Sequence, residues 1–183
     1  MGAHRIFVRT FIVCVRRRFG NNVSHRVDRD MSSNVISLPT GPRWRVLVAH
    51  QRANVRHVLR TLIEADHVAV TEVADGEEAL AKLECTHFDV LVLELDLPLK
   101  DGVAVMQSHR VLLAYERSSA MPPAIIFTLP PEVRGNETLT DHLRTLGATG
   151  FIDDSPRPGA ASLIEATLRA RAAEGDAGKP AVA

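Results

Sequence analysis

The sequence predicts an α/β fold, a five-stranded parallel sheet with helices on both faces. Two observations carry that expectation. The run DVLVLEL (89–95) is rich in Val and Leu, too short for a free helix and without polar alternation, which is how a strand buried on both faces reads. From Trp44 to about Ala173, short apolar runs alternate with stretches whose apolar residues recur at helical spacing. That alternation is the repeat of right-handed βαβ units.

Each element has its own justification. RVLVAH (45–50) is a short Val-rich strand, and Ala53 to Glu64 follows as a helix with Val55, Val58, Leu59, Leu62 and Ile63 on one face. VAVTEV (68–73) is the second strand. Asp75-Gly76 then opens a helix with an Ala79, Leu80, Leu83 stripe, and Asp75 is placed to cap it. Phe88 to Leu95 is the third strand. The helix after it runs from Gly102 to about Ser118 and carries Val103, Val105, Met106, Val111, Leu112 and Leu113. PAIIFT (123–128) is the fourth strand, LPPEVRG (129–135) a loop, and 136–146 a helix that Gly147 ends. GFID (150–153) is the fifth strand, and the last helix runs from Pro158 to about Ala173.

These elements make one domain over 43–173, preceded by a basic, disordered extension and linker (1–42) and followed by a disordered tail (174–183). A hydrophobic content of 45% allows a real core, and the formal net charge is zero. The charge is unevenly spread: residues 1–30 hold seven arginines against Asp28 and Asp30, whereas 41–172 hold 14 basic and 18 acidic groups. A mildly acidic body gives no electrostatic ground for a nucleic-acid partner. The apolar run within RIFVRTFIVCVRRR (5–18) is far short of the ~20 residues that span a bilayer, and no small-residue cleavage site follows it. It is read as a poorly ordered extension ahead of a start at Met31, in preference to a membrane-surface segment. Cys14 and Cys85 lack metal spacing and point to a reducing, cytoplasmic setting without disulfides.

Ligands of open α/β sheets sit at the carboxyl ends of the strands, so Glu94, which ends the central strand, is a site candidate on geometry alone. The motifs around it carry a family likeness. VTEVADGEEAL, FDVLVLELDLPLKDG, AIIFT and LGATGF resemble, in order and nearly in spacing, those of response-regulator receiver domains, whose fold is flavodoxin-like (CheY-like). The resemblance covers residues 44–172. It implies a domain that takes a phosphoryl group from a kinase histidine onto its own aspartate. Such transfer needs Mg²⁺ and a Lys to neutralise the phosphoryl oxygens, an acidic pair after the first strand to hold the metal, and a hydroxyl after the fourth strand.

Position by position, most of those parts are altered. His50 and Gln51 stand where the family has its acidic pair, and Glu94 stands at the phosphoacceptor position, one methylene longer than Asp. Thr128 keeps the hydroxyl. Asp154 takes the place of the Lys and Ser155 that of the following Pro; a slip of one residue puts Ser155 and Pro156 there, still without Lys. Pro98, Asp101, Gly102 and Gly147 survive, and Phe151 occupies the aromatic switch position. Asp96, two residues beyond Glu94, is counted with the altered site and expected to converge with Glu94, Thr128, His50 and Gln51 at the carboxyl edge of the sheet, although a solvated loop acid is its simpler reading. Asp153 and Asp154 are expected in solvent, His50 buried or at the rim, and the other histidines on the surface. No metal ligand set is expected, and Mg²⁺ binding is expected to be lost or weak.

The expected function is that of a stand-alone degenerate receiver, not an enzyme, that signals in the cytoplasm by protein–protein contact and without phosphorylation. The resemblance implies a contact face over roughly 136–172. It also implies partners: a histidine kinase, a phosphotransfer protein, another receiver or a second copy of the chain, but no nucleic acid and no membrane. The alternatives are a working phosphoryl acceptor with an unusual site at Glu94, and a membrane-surface adaptor anchored by 5–18.

Overall fold

Five Val- and Leu-rich segments pair as parallel strands in the order β2-β1-β3-β4-β5. They are β1 (Trp44–Ala49), β2 (Val68–Val73), β3 (Val90–Glu94), β4 (Ala124–Leu129) and β5 (Gly150–Asp153). Five helices connect and follow them: α1 (Ala53–Ile63), α2 (Gly76–Cys85), α3 (Gly102–Tyr115), α4 (Glu137–Leu146) and α5 (Pro158–Ala177). The coordinates, a computed structural model, describe residues 44–115, 121–133, 135–154 and 158–177. All of these fall within one compact unit, Pro42–Ala183. This is the flavodoxin-like α/β arrangement expected from the sequence.

The sheet is buried on both sides, and the period of two along each strand divides its residues between two cores. Leu47, Leu91, Leu93, Ile125 and Phe127 face α2, α3 and α4, through Leu80, Leu83, Val105, Met106 and Leu143. Val46, Val48, Val90, Val92, Ile126 and Ile152 face α1 and α5, through Val55, Leu59, Ile63, Ile164 and Leu168. Extending the second set by two residues at each carboxyl end reaches His50, Glu94, Thr128 and Asp154. The alternation that builds the core thus delivers four side chains to one edge, on the α1 and α5 side.

Local chemistry sets the helix ends. The Asp75 carboxylate accepts the Glu78 N–H at 2.8 Å, and Glu78 reaches back to the Ala74 N–H at 3.1 Å, a reciprocal cap. Gly147 ends α4 at φ 111°, left-handed backbone that glycine adopts without a Cβ clash. Gly102 is a close approach: a Cβ there would stand 2.3 Å from the Glu94 carbonyl oxygen.

Several expectations need correction or lie outside the described residues. α5 continues to Ala177 instead of stopping near Ala173, because its Ala-rich end favours helix strongly enough to carry Gly175. His109 is buried, since it lies one turn beyond Val105 on the core stripe of α3. Cys14, and with it the expectation of a chain without disulfides, lies outside the described residues. The basic extension, the end of the α3 helix near Ser118, and Ser155 and Pro156 also lie outside the described residues. Among the described residues no helix is long and apolar enough to cross a membrane.

Candidate functional site

β1 ends one residue before His50, and the turn into α1 begins there. The His50 side chain is fully buried, with 0% exposure. Its Nδ1 accepts the backbone N–H of Arg52 at 3.0 Å, so the ring proton sits on Nε2, which donates to Asp154 Oδ1 at 2.6 Å. Asp154 follows β5 directly, and its side chain is 13% exposed. Its other oxygen pairs with the Arg52 guanidinium, and that guanidinium also lies 3.4 Å from the Asp154 carbonyl. Burial pushes the Asp154 carboxyl up, but hydrogen bonds from Arg52 and His50, together with the Arg52 charge, outweigh it and hold the group below the ordinary carboxylate range.

Glu94 ends β3 and is 6% exposed. Both of its oxygens are engaged by one residue. Oε2 accepts the Gln51 backbone N–H at 2.6 Å and Oε1 accepts the Gln51 side-chain amide at 2.8 Å. Gln51 stands just ahead of α1, so both of these hydrogen bonds come from the turn that leads into that helix. His50 Nδ1 lies 3.5 Å from Glu94 Oε2. Among the described residues no lysine or arginine reaches Glu94. The turn itself is held from outside by Arg56, whose guanidinium donates to the His50 and Gln51 carbonyls at 2.6 and 2.9 Å.

Thr128 is the strand neighbour of Glu94, and register partners in a parallel pair project to the same face. It is 1% exposed, and its Oγ1 has no hydrogen-bond partner among the described residues. A buried hydroxyl without a partner is rare enough to need a reason. Phe151, on β5, is half-buried with the Arg144 guanidinium 5.2 Å from its ring centroid, within cation–π range.

The fold therefore brings together His50, Gln51, Glu94, Thr128 and Asp154. It leaves Asp96 apart: that residue is exposed and lines a separate shallow depression with Asp101 and Gln107. Asp154 departs from the solvated loop acid expected. Arg52 is a member of the site that the sequence does not single out. The available signal is a cation directly after His50 and Gln51, with an acid just beyond β5 for it to face.

The comparisons with known proteins agree with the geometry. The response regulator receiver domain matches residues 46–154. The transcriptional regulatory protein ResD of Bacillus subtilis is 32% identical over 101 residues, which cover 53% of this chain and 39% of that protein. The probable transcriptional regulator ycf27 of Porphyridium aerugineum is 36% identical over 66 residues, covering 36% of this chain and 28% of that protein. The chain thus spans between 28% and 39% of the length of the curated relatives it matches. In fold it is similar to the receiver domain of a LuxO repressor protein from Vibrio parahaemolyticus, with a TM-score of 0.63 at 17% identity over 75% of this chain and 98% of that one. The receiver domain of AraT from Geobacillus stearothermophilus gives 0.60 at 22% identity, over 73% and 98% of the two chains. The chain thus belongs to the response regulator receiver domains of two-component signalling.

Proposed function

We propose that this receiver signals by protein–protein contact without accepting a phosphoryl group, its phosphorylation site rebuilt as a closed hydrogen-bonded network. The supporting observation is that both oxygens of Glu94, the acceptor position, are held by Gln51 at 2.6 and 2.8 Å. The family's Mg²⁺ fits this donor set poorly. Mg²⁺ prefers octahedral oxygen ligands, usually carboxylates and waters, whereas the residues after β1 present a buried imidazole and an amide N–H₂ turned toward Glu94. Where the family has a lysine, the carboxylate of Asp154 would repel an incoming phosphoryl group. No step of transfer is therefore assigned to this chain, and it is read as a binding module without enzymatic activity.

The partners proposed are those that receivers serve: a histidine kinase, a phosphotransfer protein, another receiver or a second copy, in a cytoplasmic setting and with the chain acting as a stand-alone module. The contact face proposed is that of α4, β5 and α5. Incubation with acetyl phosphate and Mg²⁺, followed by intact-mass spectrometry at mild pH, tests the central point. The expected spectrum is unchanged for the native protein and for Glu94→Asp. A gain of one phosphoryl group, abolished by Glu94→Gln, would establish a working acceptor instead.

A further inference from the structure

Glu94 and Asp154 bring two carboxylates to one edge of the sheet, and among the described residues the single guanidinium there, that of Arg52, pairs with Asp154. The groups that donate to Glu94 are the backbone and side-chain N–H groups of Gln51. One imidazole nitrogen and one oxygen from each carboxylate lie within 4.8 Å of one another. Ligands of a tetrahedral ion bound at 2.0–2.1 Å stand about 3.3 Å apart, so closing the set takes side-chain shifts and a change of tautomer: Nε2 binds the ion, its proton is replaced by one on Nδ1, and Nδ1 gives up the Arg52 N–H and faces Glu94 Oε2, 3.5 Å away. Thr128 supplies an independent sign: a hydroxyl 1% exposed, on the Glu94 side of the sheet, with its oxygen unpartnered. It could serve as a fourth donor, directly or through water.

We infer that His50, Glu94 and Asp154 form a site for a divalent transition metal of the Zn²⁺ class, with Thr128 beside it. An imidazole with two carboxylates suits Zn²⁺, Co²⁺ or Ni²⁺ and disfavours Mg²⁺. The ligand set differs from the family's in kind and in place, because Asp154 stands at the lysine position. Arg52 is the built-in competitor: its guanidinium occupies Asp154 and is half exposed, with 50% of the side chain accessible, so it can swing out as a metal enters. The inference goes beyond the signalling reading, since a metal bound without phosphoryl transfer leaves that reading intact.

Co²⁺, whose visible absorption reports its coordination, and Zn²⁺ by titration calorimetry test this on the full chain. One equivalent should bind, at least about tenfold tighter than Mg²⁺. His50→Gln and Asp154→Asn should each weaken it at least about tenfold, a loss that even supporting partners of a metal site produce. Arg52→Ala should tighten it several-fold, which metal uptake on surface histidines would not do. Urea melts of each variant separate loss of ligands from loss of fold, and Glu94→Gln gives a second route if His50→Gln does not fold. Absence of one-equivalent binding, or binding unchanged by both His50→Gln and Asp154→Asn, overturns the inference.

Discussion

Asp154→Ala is the sharpest perturbation of the rebuilt site, because it removes an acceptor from a fully buried donor. His50 has 0% exposure, and its Nε2–H points at Asp154 Oδ1 at 2.6 Å. Leaving a buried donor without a partner costs about 1–3 kcal/mol. The Arg52 ion pair adds little, because half of that side chain is in water and such exposed pairs are worth about 0–1 kcal/mol. The expected loss is about 2–3 kcal/mol. At this domain size that lowers Tm by roughly 6–15 °C. Asp154→Asn keeps an acceptor for His50 and should lose about 1 kcal/mol or less. Asp154→Lys, which restores the family's residue, should be the worst of the three, because it sets an ammonium beside Arg52 and the His50 N–H. Pairing it with His50→Asp should recover part of the loss, and a double-mutant cycle reads that coupling. Urea unfolding at neutral pH measures all four. A loss within about 0.5 kcal/mol for Asp154→Ala, the range of ordinary surface substitutions, would mean the carboxylate is solvated and the reasoning is wrong.

The same carboxylate sets an acid dependence. Its folded pKa is depressed, so the folded state holds the Asp154 proton less tightly than the unfolded chain. The stability it contributes is complete above the unfolded value of about 4 and is lost as pH falls through the lower folded value. Urea midpoints taken from pH 6 to pH 2 should therefore converge for the native protein and Asp154→Asn at the acid end. Parallel curves would remove Asp154 from the account. Gly102→Ala should destabilise by about 1–3 kcal/mol, as overpacking does, because its Cβ would meet the Glu94 carbonyl oxygen at 2.3 Å and the Phe127 ring at 2.9 Å. A Tm equal to that of the native protein would show that the loop after β3 yields freely.

Much of this fold is legible in the sequence because its signals are local. The Val and Leu runs name the strands, Asp75 and Gly147 punctuate helices, and the period of two puts Glu94 and Thr128 on one face once both strands are placed. The site network is less legible. His50 and Asp154 are 104 residues apart, and their bond depends on how far β1 and β5 extend in a shared sheet. Asp154 therefore reads as a loop acid until β5 is in position. Arg52 has no local partner to mark it, and Gln51 reads as a lost ligand, whereas in the fold it is the donor on both Glu94 oxygens. Asp96 shows the converse: two residues from Glu94 suggests proximity, but the chain turns away and leaves it in solvent.

On the proposed reading, the charges at the two ends of the site are transposed, which separates a rebuilt site from a decayed one. The resemblance implies acids after the first strand and a lysine after the fifth; here the cation, Arg52, and the imidazole donor follow β1, and the acid follows β5. Either half of that exchange alone is unfavourable. Acids after β1 facing Asp154 and Glu94 would crowd carboxylates into one buried edge, and a lysine at 154 would face Arg52 across the same gap. Both act at short range where water screens poorly. Simple loss of function predicts buried polar groups left without partners, and each would destabilise the domain by about 1–3 kcal/mol. The nearly inaccessible His50 and Glu94 instead have partners on both of their polar atoms. The exception within the cluster is the Thr128 hydroxyl, beside the one carboxylate that no fixed cation balances. On the proposed reading, that hydroxyl is where an entering cation would find its remaining donor.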